Sequence, residues 1–402
     1  EPVPPPGASS FPVPWLLGQL FLIAGLPFFA ISSAGPLLQG WFARTGHARA
    51  HDPYFLYAAS NAGSFVGLLA YPFVVEPALG LDRQRAVWLG LFAVFGVLAM
   101  GCLRRTRTGR LEPGPSAGDS GDAPVDWRRR LWWMFLAFVP SSTLLGVTTH
   151  ITTDVASFPL LWVIPLSVYL LTMILAFSGR AAYLQTAMAR PMVLSIIAAL
   201  VLLVAWVGAE QIPPMWANLG VQLAVLLTVG LYGHARLAVD RPHASRLTEY
   251  FLVISVGGAL GGIFNGLVAP LVFDSDYEYH IALVCALLML PGRARAPEMN
   301  PARFWLRRLR IPAISLAAYA FAVLTAPWVL DAVEWAMGGE KADTASVGEM
   351  AGTVALLVWL VPPGLLVYMG WRDRIASAGA LLFPLCGVVI ASGFNPSLVL
   401  RT

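Results

Sequence analysis

The sequence predicts an all-α protein, a polytopic membrane helix bundle with about 12 transmembrane helices. First, 57% of the 402 residues are hydrophobic and only 12% are charged, with a mean hydropathy of +0.70. Soluble domains carry about 25% charged residues. Second, the chain contains many apolar runs whose length is close to the roughly 20 residues that a helix needs to span a bilayer. Third, basic residues concentrate in every second connection between these runs, which is the pattern of cytoplasmic loops.

The apolar runs give the predicted order of the spans. The shortest run, 277–291, opens with Tyr277, Glu278, Tyr279 and His280, so a tilted or re-entrant piece is an alternative there. The predicted spans are 13–36, 54–79, 86–103, 131–153, 157–177, 191–208, 214–235, 249–273, 277–291, 311–330, 351–370 and 375–393.

The distribution of charge predicts the orientation in the membrane. On alternating connections, 22 of the 26 basic residues fall on one side, which the positive-inside rule identifies as cytoplasmic. Residue 1 and residue 402 are then both extracytoplasmic. Acidic residues, among them Asp274, Asp276 and Glu278, gather on that same side. We therefore expect a multi-pass protein whose arginine-rich loops are cytoplasmic and whose opposite surface attracts cations.

Residues 104–130 divide the chain into two parts. This segment is rich in Gly, Pro and Asp between arginine clusters and has no apolar periodicity, which predicts a flexible cytoplasmic linker. Residues 1–103 then form a front group of three spans, and residues 131–402 form a back group of nine. The chain opens with a proline-rich stretch and without Met, so we expect the beginning of the gene product to precede Glu1.

The most unusual residues of the apolar runs are His150 and Asp154. Four residues apart, they would share one helix face, and ionisable groups in a membrane span need a partner, an aqueous cavity or a function. Hydroxyl and amide groups concentrate near them or punctuate other spans. The candidate site for substrate or proton coupling therefore comprises His150, Asp154, Thr149, Thr153, Asn61 and Asn265.

Three interpretations of this pair stay open. In the first, Asp154 caps the helix end and His150 pairs with it or with a loop carbonyl. In the second, the pair couples protons or cations at the extracytoplasmic end of a transport path, because histidine titrates near physiological pH and a carboxylate tunes it. In the third and least favoured, His150 binds a metal or haem, and no metal site is predicted.

The segment 255–266, SVGGALGGIFNG, carries glycines at four-residue steps. Small residues at this spacing let two membrane helices approach closely. Helix packing is the favoured interpretation, and a hinge for alternating access is the alternative. The predicted packing residues are Gly257, Gly258, Gly261, Gly262 and Gly266.

The chain has no recognisable catalytic motif. It lacks a glycine-rich phosphate loop with Lys, an HExxH pattern and a GxSxG pattern. Cys102, Cys285 and Cys386 lie in or beside apolar runs without CxxC spacing, which indicates structural thiols. Whether the chain is an enzyme is left open, and no cofactor is expected. The expected partners are the lipid bilayer and other membrane subunits or further copies of the chain, and not nucleic acid.

Three segments resemble a known family. Residues 32–77, 149–177 (beginning THITTDVASFPLLW) and 247–273 (beginning LTEYFLVISVGGALGG) are similar to the membrane region of bacterial proteins that fuse a major-facilitator-like span array to a spermidine synthase-like domain. The resemblance runs across nearly the whole chain. It implies a major-facilitator-like bundle in a bacterial inner membrane, about two further spans before Glu1, and a synthase-like domain that starts soon after Asn395.

No aminopropyltransferase chemistry follows from this resemblance for the present sequence, because the glycines and acidic residues of the synthase-like domain are absent from it. Two functions stay open besides a membrane enzyme, for which a buried ligand or metal touching His150 would be the sign. The first is a transporter-like membrane domain that moves a small cationic solute with proton coupling. The alternative is a non-transporting membrane subunit or anchor within a larger membrane complex.

Overall fold

The computed structural model describes most of the chain up to residue 291. Within this part every regular element is a helix and no strand is present, so the all-α prediction is confirmed here. The described residues are 12–45, 47–108, 125–152, 160–209, 214–273 and 277–291, with Leu306, Leu309, Arg310, Pro312–Ser315, Ala317, Ser377, Ala378 and Ala380. The predicted spans 311–330, 351–370 and 375–393 lie largely outside them.

Twelve α-helices follow one another in the described residues. They are α1 Pro12–Leu20, α2 Leu26–Phe42, α3 Phe55–Ala70, α4 Glu76–Ala78, α5 Leu81–Thr108, α6 Trp127–His150, α7 Val163–Leu175, α8 Ala181–Ala209, α9 Met215–Val239, α10 Leu247–Ile263, α11 Ala269–Val272 and α12 Tyr277–Leu288. Short π-helical segments join several of them, so the number of helices is not the number of membrane spans.

Six helical stretches in the described residues are long and apolar enough to cross a membrane. The protein is therefore membrane-embedded, while the total of twelve spans stays a prediction. The six stretches are Phe55–Ala78, Leu81–Arg104, Trp127–His150, Val163–Leu202, Met215–Val239 and Ala244–Val272. Tyr277–Leu288 is apolar but shorter. Its 12 residues rise by about 18 Å, less than the roughly 30 Å of a bilayer core.

Prolines account for three of the π-helical segments. A proline cannot donate to the carbonyl four residues before it, and its ring displaces that carbonyl. The segments Phe21–Gly25, Tyr71–Val75 and Phe264–Val268 each contain the residue four positions before a proline, namely Pro27, Pro77 and Pro270. Where this hydrogen bond is missing, the helix widens for one turn and forms a π-segment.

The long stretch Val163–Leu202 bends at a glycine. Gly179 has a φ of 92°, in the left-handed region that L side chains rarely adopt. It lies between α7 and α8. A straight helix of 40 residues would rise by about 60 Å, so the break at Gly179 divides a stretch that exceeds one membrane thickness.

The described residues form two compact units. The first draws on the described residues within 12–63, 70–108 and 242–252, and the second on those within 64–69, 125–241 and 253–291. In the first unit Tyr54 is 2% exposed, and its hydroxyl donates to the carbonyl of Pro242 at 2.9 Å. Its ring meets that of Tyr250 edge-on, with centroids 5.7 Å apart. This contact ties the start of α3 to the start of α10.

The second unit is centred on α9, which packs against α6, α7 and α8, while α12 packs against α6. Leucine, valine and alanine side chains fill the space between these helices, and burying them stabilises the bundle. The residues with at most 1% exposure on α6, α9 and α12 include Leu136, Val139, Val147, Val225, Leu226, Val229, Leu283, Ala286 and Leu287. Apolar side chains therefore make up most of the core between these helices.

Asp240 ties the end of α9 to the start of α6. Its Oδ2 accepts a hydrogen bond from the indole Nε1 of Trp133 at 2.8 Å, and its Oδ1 lies 3.0 Å from the guanidinium of Arg129. Trp133 is fully buried. The carboxylate therefore satisfies a buried donor at the predicted cytoplasmic end of the bundle.

We expect Asp240→Ala to lower the free energy of unfolding by about 2 kcal/mol, because the buried indole N–H loses its carboxylate acceptor. Asp240→Asn keeps an oxygen acceptor and should cost about half as much. Unfolding in mixed detergent and SDS micelles, followed by tryptophan fluorescence, measures both. Equal losses for the two variants would contradict this account of the carboxylate.

Candidate functional site

The candidate site lies at the C-terminal end of α6, where the sequence predicted it. Helix α6 ends at His150, and Ile151 directly after it is fully buried. The hydroxyls of Thr148 and Thr152 donate to backbone carbonyls of the same stretch, at 2.6 Å and 2.8 Å. Such back-bonding satisfies these two hydroxyls within the helix, whereas the imidazole of His150 reaches another helix.

His150 belongs to a chain of hydrogen bonds across three helices. Its Nε2 lies 3.3 Å from Oδ1 of Asn218 on α9. Nε2 of Gln222, one turn further along α9, donates to the same Oδ1 at 3.2 Å. The hydroxyl of Tyr279 on α12 donates to Oε1 of Gln222. Gln222 and Tyr279 are 3% and 4% exposed, so most of this chain is withdrawn from solvent.

The direction of these bonds assigns a proton to the histidine. Oδ1 of Asn218 is an acceptor only, so Nε2 of His150 carries a hydrogen and donates it. The other ring nitrogen, Nδ1, is then the atom at which a second proton would be gained or lost. A change of charge at His150 would alter a hydrogen bond that is shared with α9 and, through Gln222, with α12.

Gly146 allows α12 to approach α6 at this site. A Cβ added to Gly146 would lie 2.9 Å from Cδ2, 3.1 Å from Cβ and 3.2 Å from Cα of Tyr279. The rings of His150 and Tyr279 are nearly parallel, at 19°, with centroids 6.1 Å apart. Because only a glycine leaves room here, Gly146 positions the Tyr279 hydroxyl on Gln222.

A second polar contact joins α6 to the π-segment Phe264–Val268 that follows α10. Nδ2 of Asn265 donates to Oγ of Ser142 at 2.7 Å and to the carbonyl of Gly261 at 2.9 Å. Oδ1 of Asn265 is buried and has no hydrogen-bond partner among the described residues. Ser142 lies eight residues before His150 on α6, about 12 Å along the helix axis. Asn265 is therefore near the same helix as His150 but is not part of its hydrogen-bond chain.

The other predicted site residues are placed differently. Asn61 lies in the first unit, where its Nδ2 donates to the carbonyl of Tyr57 at 2.8 Å. Thr149 is exposed beside His150. Thr153 and Asp154 lie outside the described residues, so the proposed pairing of His150 with Asp154 stays a prediction.

The five glycines of α10 and the following π-segment differ in their surroundings. A Cβ on Gly257 would collide with the carbonyl oxygen of Met134 and lie 2.9 Å from its Cα. A Cβ on Gly261 would lie 2.9 Å from the carbonyl oxygen of Phe138. Gly257 and Gly261 thus bring the backbones of α10 and α6 together, and the hydroxyl of Ser141 donates to the carbonyl of Gly258 across this contact at 2.9 Å. Nothing lies within 4 Å of a Cβ placed on Gly258, Gly262 or Gly266.

In the part of the chain that the structure describes, no group of three or more His, Cys, Asp or Glu side chains could hold a metal ion. The hydrogen-bond chain itself consists of one imidazole, two amides and one phenol. These groups can bind and relay a proton or orient a small polar solute, and they contain no activated nucleophile of the kind used in covalent catalysis.

Sequence reasoning missed Asn218, Gln222 and Tyr279. Asn218 and Gln222 are four residues apart in an apolar span, the same signal that singled out His150 and Asp154. It also missed His234, which is fully buried. Nδ1 of His234 lies 2.9 Å from the hydroxyl of Thr172 on α7. A systematic search of the apolar runs for amides and histidines would have found Asn218, Gln222 and His234, but not Tyr279.

Comparison with known proteins gave no match. No protein-family model, no curated protein and no solved structure is similar to the chain. The family resemblance therefore rests on the three quoted segments alone, and the function must be inferred from the arrangement of the residues.

Proposed function

We propose that the chain is a secondary-transporter-like membrane domain that moves a small cationic solute, with protonation of His150 as the coupling event. It would lie in a bacterial cytoplasmic membrane with its arginine-rich loops on the cytoplasmic side, in the orientation that the loop charges favour. The single observation that carries the proposal is the hydrogen-bond chain from His150 through Asn218 and Gln222 to Tyr279.

The hydrogen-bond chain links a titratable group to the relative positions of three helices. Histidine changes charge near neutral pH, and a charge inside a membrane protein is costly unless its surroundings adapt. The partners of His150 in the hydrogen-bond chain belong to α9 and α12, so the adaptation would involve α6, α9 and α12 together. Buried polar groups of this kind in membrane helices commonly mark ion or substrate pathways.

Helix α10 supplies a surface along which α6 could move. At Gly257 and Gly261 backbone atoms of the two helices come close together, and the small side chain of Ser141 is the one that packs against Gly261. The π-segment Phe264–Val268 follows directly, and π-segments within α-helices are frequent at functional sites. A small shear of α6 along α10 would carry His150 with it.

The cationic nature of the solute is inferred from charge. The predicted extracytoplasmic loops are rich in acidic residues, and Glu278 stands in the first turn of α12, next to Tyr279. Acidic groups at the mouth of a path raise the local concentration of cations. The resemblance to proteins with a spermidine synthase-like domain makes a polyamine the first solute to test.

The test is proton-coupled uptake in proteoliposomes. Wild-type protein, reconstituted with a pH-sensitive dye inside the vesicles, should move protons when radiolabelled spermidine or putrescine is added, and should accumulate the label against a gradient when a pH difference is imposed. His150→Gln should abolish the solute-dependent proton movement, because an amide does not bind a proton near neutral pH.

The matched control is His51→Gln. His51 is exposed and lies in the first unit, so this variant removes a histidine outside the hydrogen-bond chain and should behave as wild type. Proton movement that persists in His150→Gln would refute the coupling role of His150. If the wild-type protein moved none of a panel of small cations in either direction, the transport proposal itself would fail.

A second function is favoured by a different observation. In the apolar window of Leu81–Arg104 no residue is buried within the structure, whereas half of the window of Trp127–His150 is buried. A membrane helix with no buried face is covered by lipid or by other protein, as expected of a subunit or anchor in a larger complex. Cysteine crosslinking from α5 in native membranes would distinguish the two, since a stable complex gives a discrete crosslinked product and a lipid-covered helix gives none.

A further inference from the structure

A cavity in the first unit lies among α2, α3 and α5 and has a volume of about 350 Å³. Helix α2 contributes one face of residues at helical spacing, including Ile31, Gly35 and Gln39, and α3 contributes Leu56 and Ser60. Phe95 of α5 closes the other side. A Cβ on Gly35 would meet no atom within 4 Å, so the glycine widens the cavity by leaving space where another residue would project.

Gln39 is the one amide among the residues that line this cavity. The residue is 2% exposed, and its Oε1 is buried without a hydrogen-bond partner in the part of the chain that the structure describes. Burying an amide oxygen without a donor is unfavourable, and native structures rarely leave such an atom unsatisfied. Oε1 of Gln39 therefore lacks a hydrogen-bond donor, and a molecule that enters the cavity can supply one.

The other lining residues restrict what that molecule can be. They carry no ionisable group, and most are aliphatic or aromatic, so the cavity disfavours a charged molecule. Phe95 stands about 21 Å along α5 from Leu81 and about 14 Å from Arg104, which is near the middle of that span. Ile31 and Phe95 are 53% and 41% exposed. The mouth of the cavity is thus at the depth of the lipid hydrocarbon.

We propose that this cavity binds an uncharged, lipid-soluble alcohol, whose hydroxyl donates to Oε1 of Gln39 and whose hydrocarbon part lies against Ile31, Leu56 and Phe95. Ser60 can accept or donate a second hydrogen bond to the same hydroxyl. Such a molecule satisfies the amide oxygen, needs no counter-ion and reaches the site through the bilayer. The proposal concerns the first unit and stands or falls independently of proton coupling at His150.

The test uses the isoprenoid alcohol farnesol and its methyl ether, which has the same hydrocarbon part but no donor. A photoreactive diazirine analogue of farnesol is added to the protein in lipid nanodiscs, and labelled peptides are mapped by mass spectrometry. Labelling should fall on α2, α3 or α5. Free farnesol should compete at a concentration about tenfold lower than the ether, the difference that one buried hydrogen bond contributes.

Two variants test the roles of the amide and the space. Gln39→Leu should keep the labelling but remove the tenfold preference for farnesol over its ether. Gly35→Leu should fill the cavity and abolish labelling. Gly40→Leu is the matched control, because Gly40 is on the same helix, does not line the cavity and also has open space around its Cβ. It should label as wild type.

Thermal unfolding followed by tryptophan fluorescence establishes that each variant is folded. Equal competition by farnesol and its ether in the wild-type protein would overturn the proposal, and would mean that the cavity takes hydrocarbon chains without regard to a donor. Absence of specific labelling from α2, α3 and α5 would overturn it as well, whatever the outcome of the transport assay.

Discussion

Replacing Gly257 with alanine is expected to lower the free energy of unfolding by about 3 kcal/mol, at the upper end of the range for overpacked cores. The added methyl group would collide with the carbonyl oxygen of Met134 and lie 2.9 Å from its Cα. Those are backbone atoms of α6, which cannot turn aside as a flexible side chain could. The two helices must separate, and separation weakens the bonds from Ser141 to Gly258 and from Asn265 to Ser142.

The adjacent glycine provides the control. A Cβ on Gly258 meets nothing within 4 Å, and alanine is favoured over glycine inside a helix by up to about 1 kcal/mol. Gly258→Ala should therefore leave stability unchanged or raise it. SDS titration in mixed micelles measures both variants. A similar effect of the two substitutions would show that the packing of α10 on α6 differs from the structure described.

The contrast between these two glycines marks a limit of sequence analysis. Four-residue spacing predicted that this helix packs closely against another, but Gly257 and Gly258 satisfy the pattern equally well in the sequence. Which of them faces a neighbour depends on where α6 lies, and that is decided by the packing of the whole unit. The spacing of small residues therefore indicates a close contact without identifying its partner.

The positions of the spans were easier to predict from the sequence, because they follow from hydrophobicity alone. The predicted spans 54–79, 214–235 and 249–273 correspond to helical stretches at nearly the same residues. The start of α6 was predicted four residues too late, at 131 instead of Trp127. Arg128 and Arg129 stack over the rings of Trp127 and Trp133, at 5.6 Å and 5.0 Å. Long basic side chains keep their charge in water while their helix enters the membrane. The apolar run in the sequence therefore begins after the helix itself has begun.

Only part of the candidate site could be predicted from the sequence. His150 stood out because ionisable groups are rare in apolar runs. Its contacts did not, since a hydrogen bond between residues 68 positions apart depends on the neighbours and rotation of α6 and α9. Gly146 carried no signal at all in the sequence, because it lies in no glycine pattern. Its importance comes only from the ring of Tyr279 that packs against it.

The second large effect is expected at that glycine. Gly146→Ala should displace Tyr279, because the new methyl group would lie 2.9 Å from Cδ2 and 3.2 Å from Cα of that residue. Moving Tyr279 breaks its hydrogen bond to Gln222. We expect a loss of about 2 kcal/mol in the free energy of unfolding, from overpacking together with a broken buried hydrogen bond. Gly220→Ala on α9, where a Cβ has open space, should cost nothing.

A double-mutant cycle tests whether the displacement acts through the hydrogen bond. Tyr279→Phe alone removes the hydroxyl and should cost about 1 kcal/mol. In the Gly146→Ala background that bond is already lost, so Tyr279→Phe should add little, and the two effects should be less than additive. Full additivity would mean that the overpacking at Gly146 destabilises the protein independently of the hydrogen bond from Tyr279 to Gln222. If the hydrogen-bond chain also couples protonation to transport, Gly146→Ala should reduce solute-dependent proton movement even though His150 is intact.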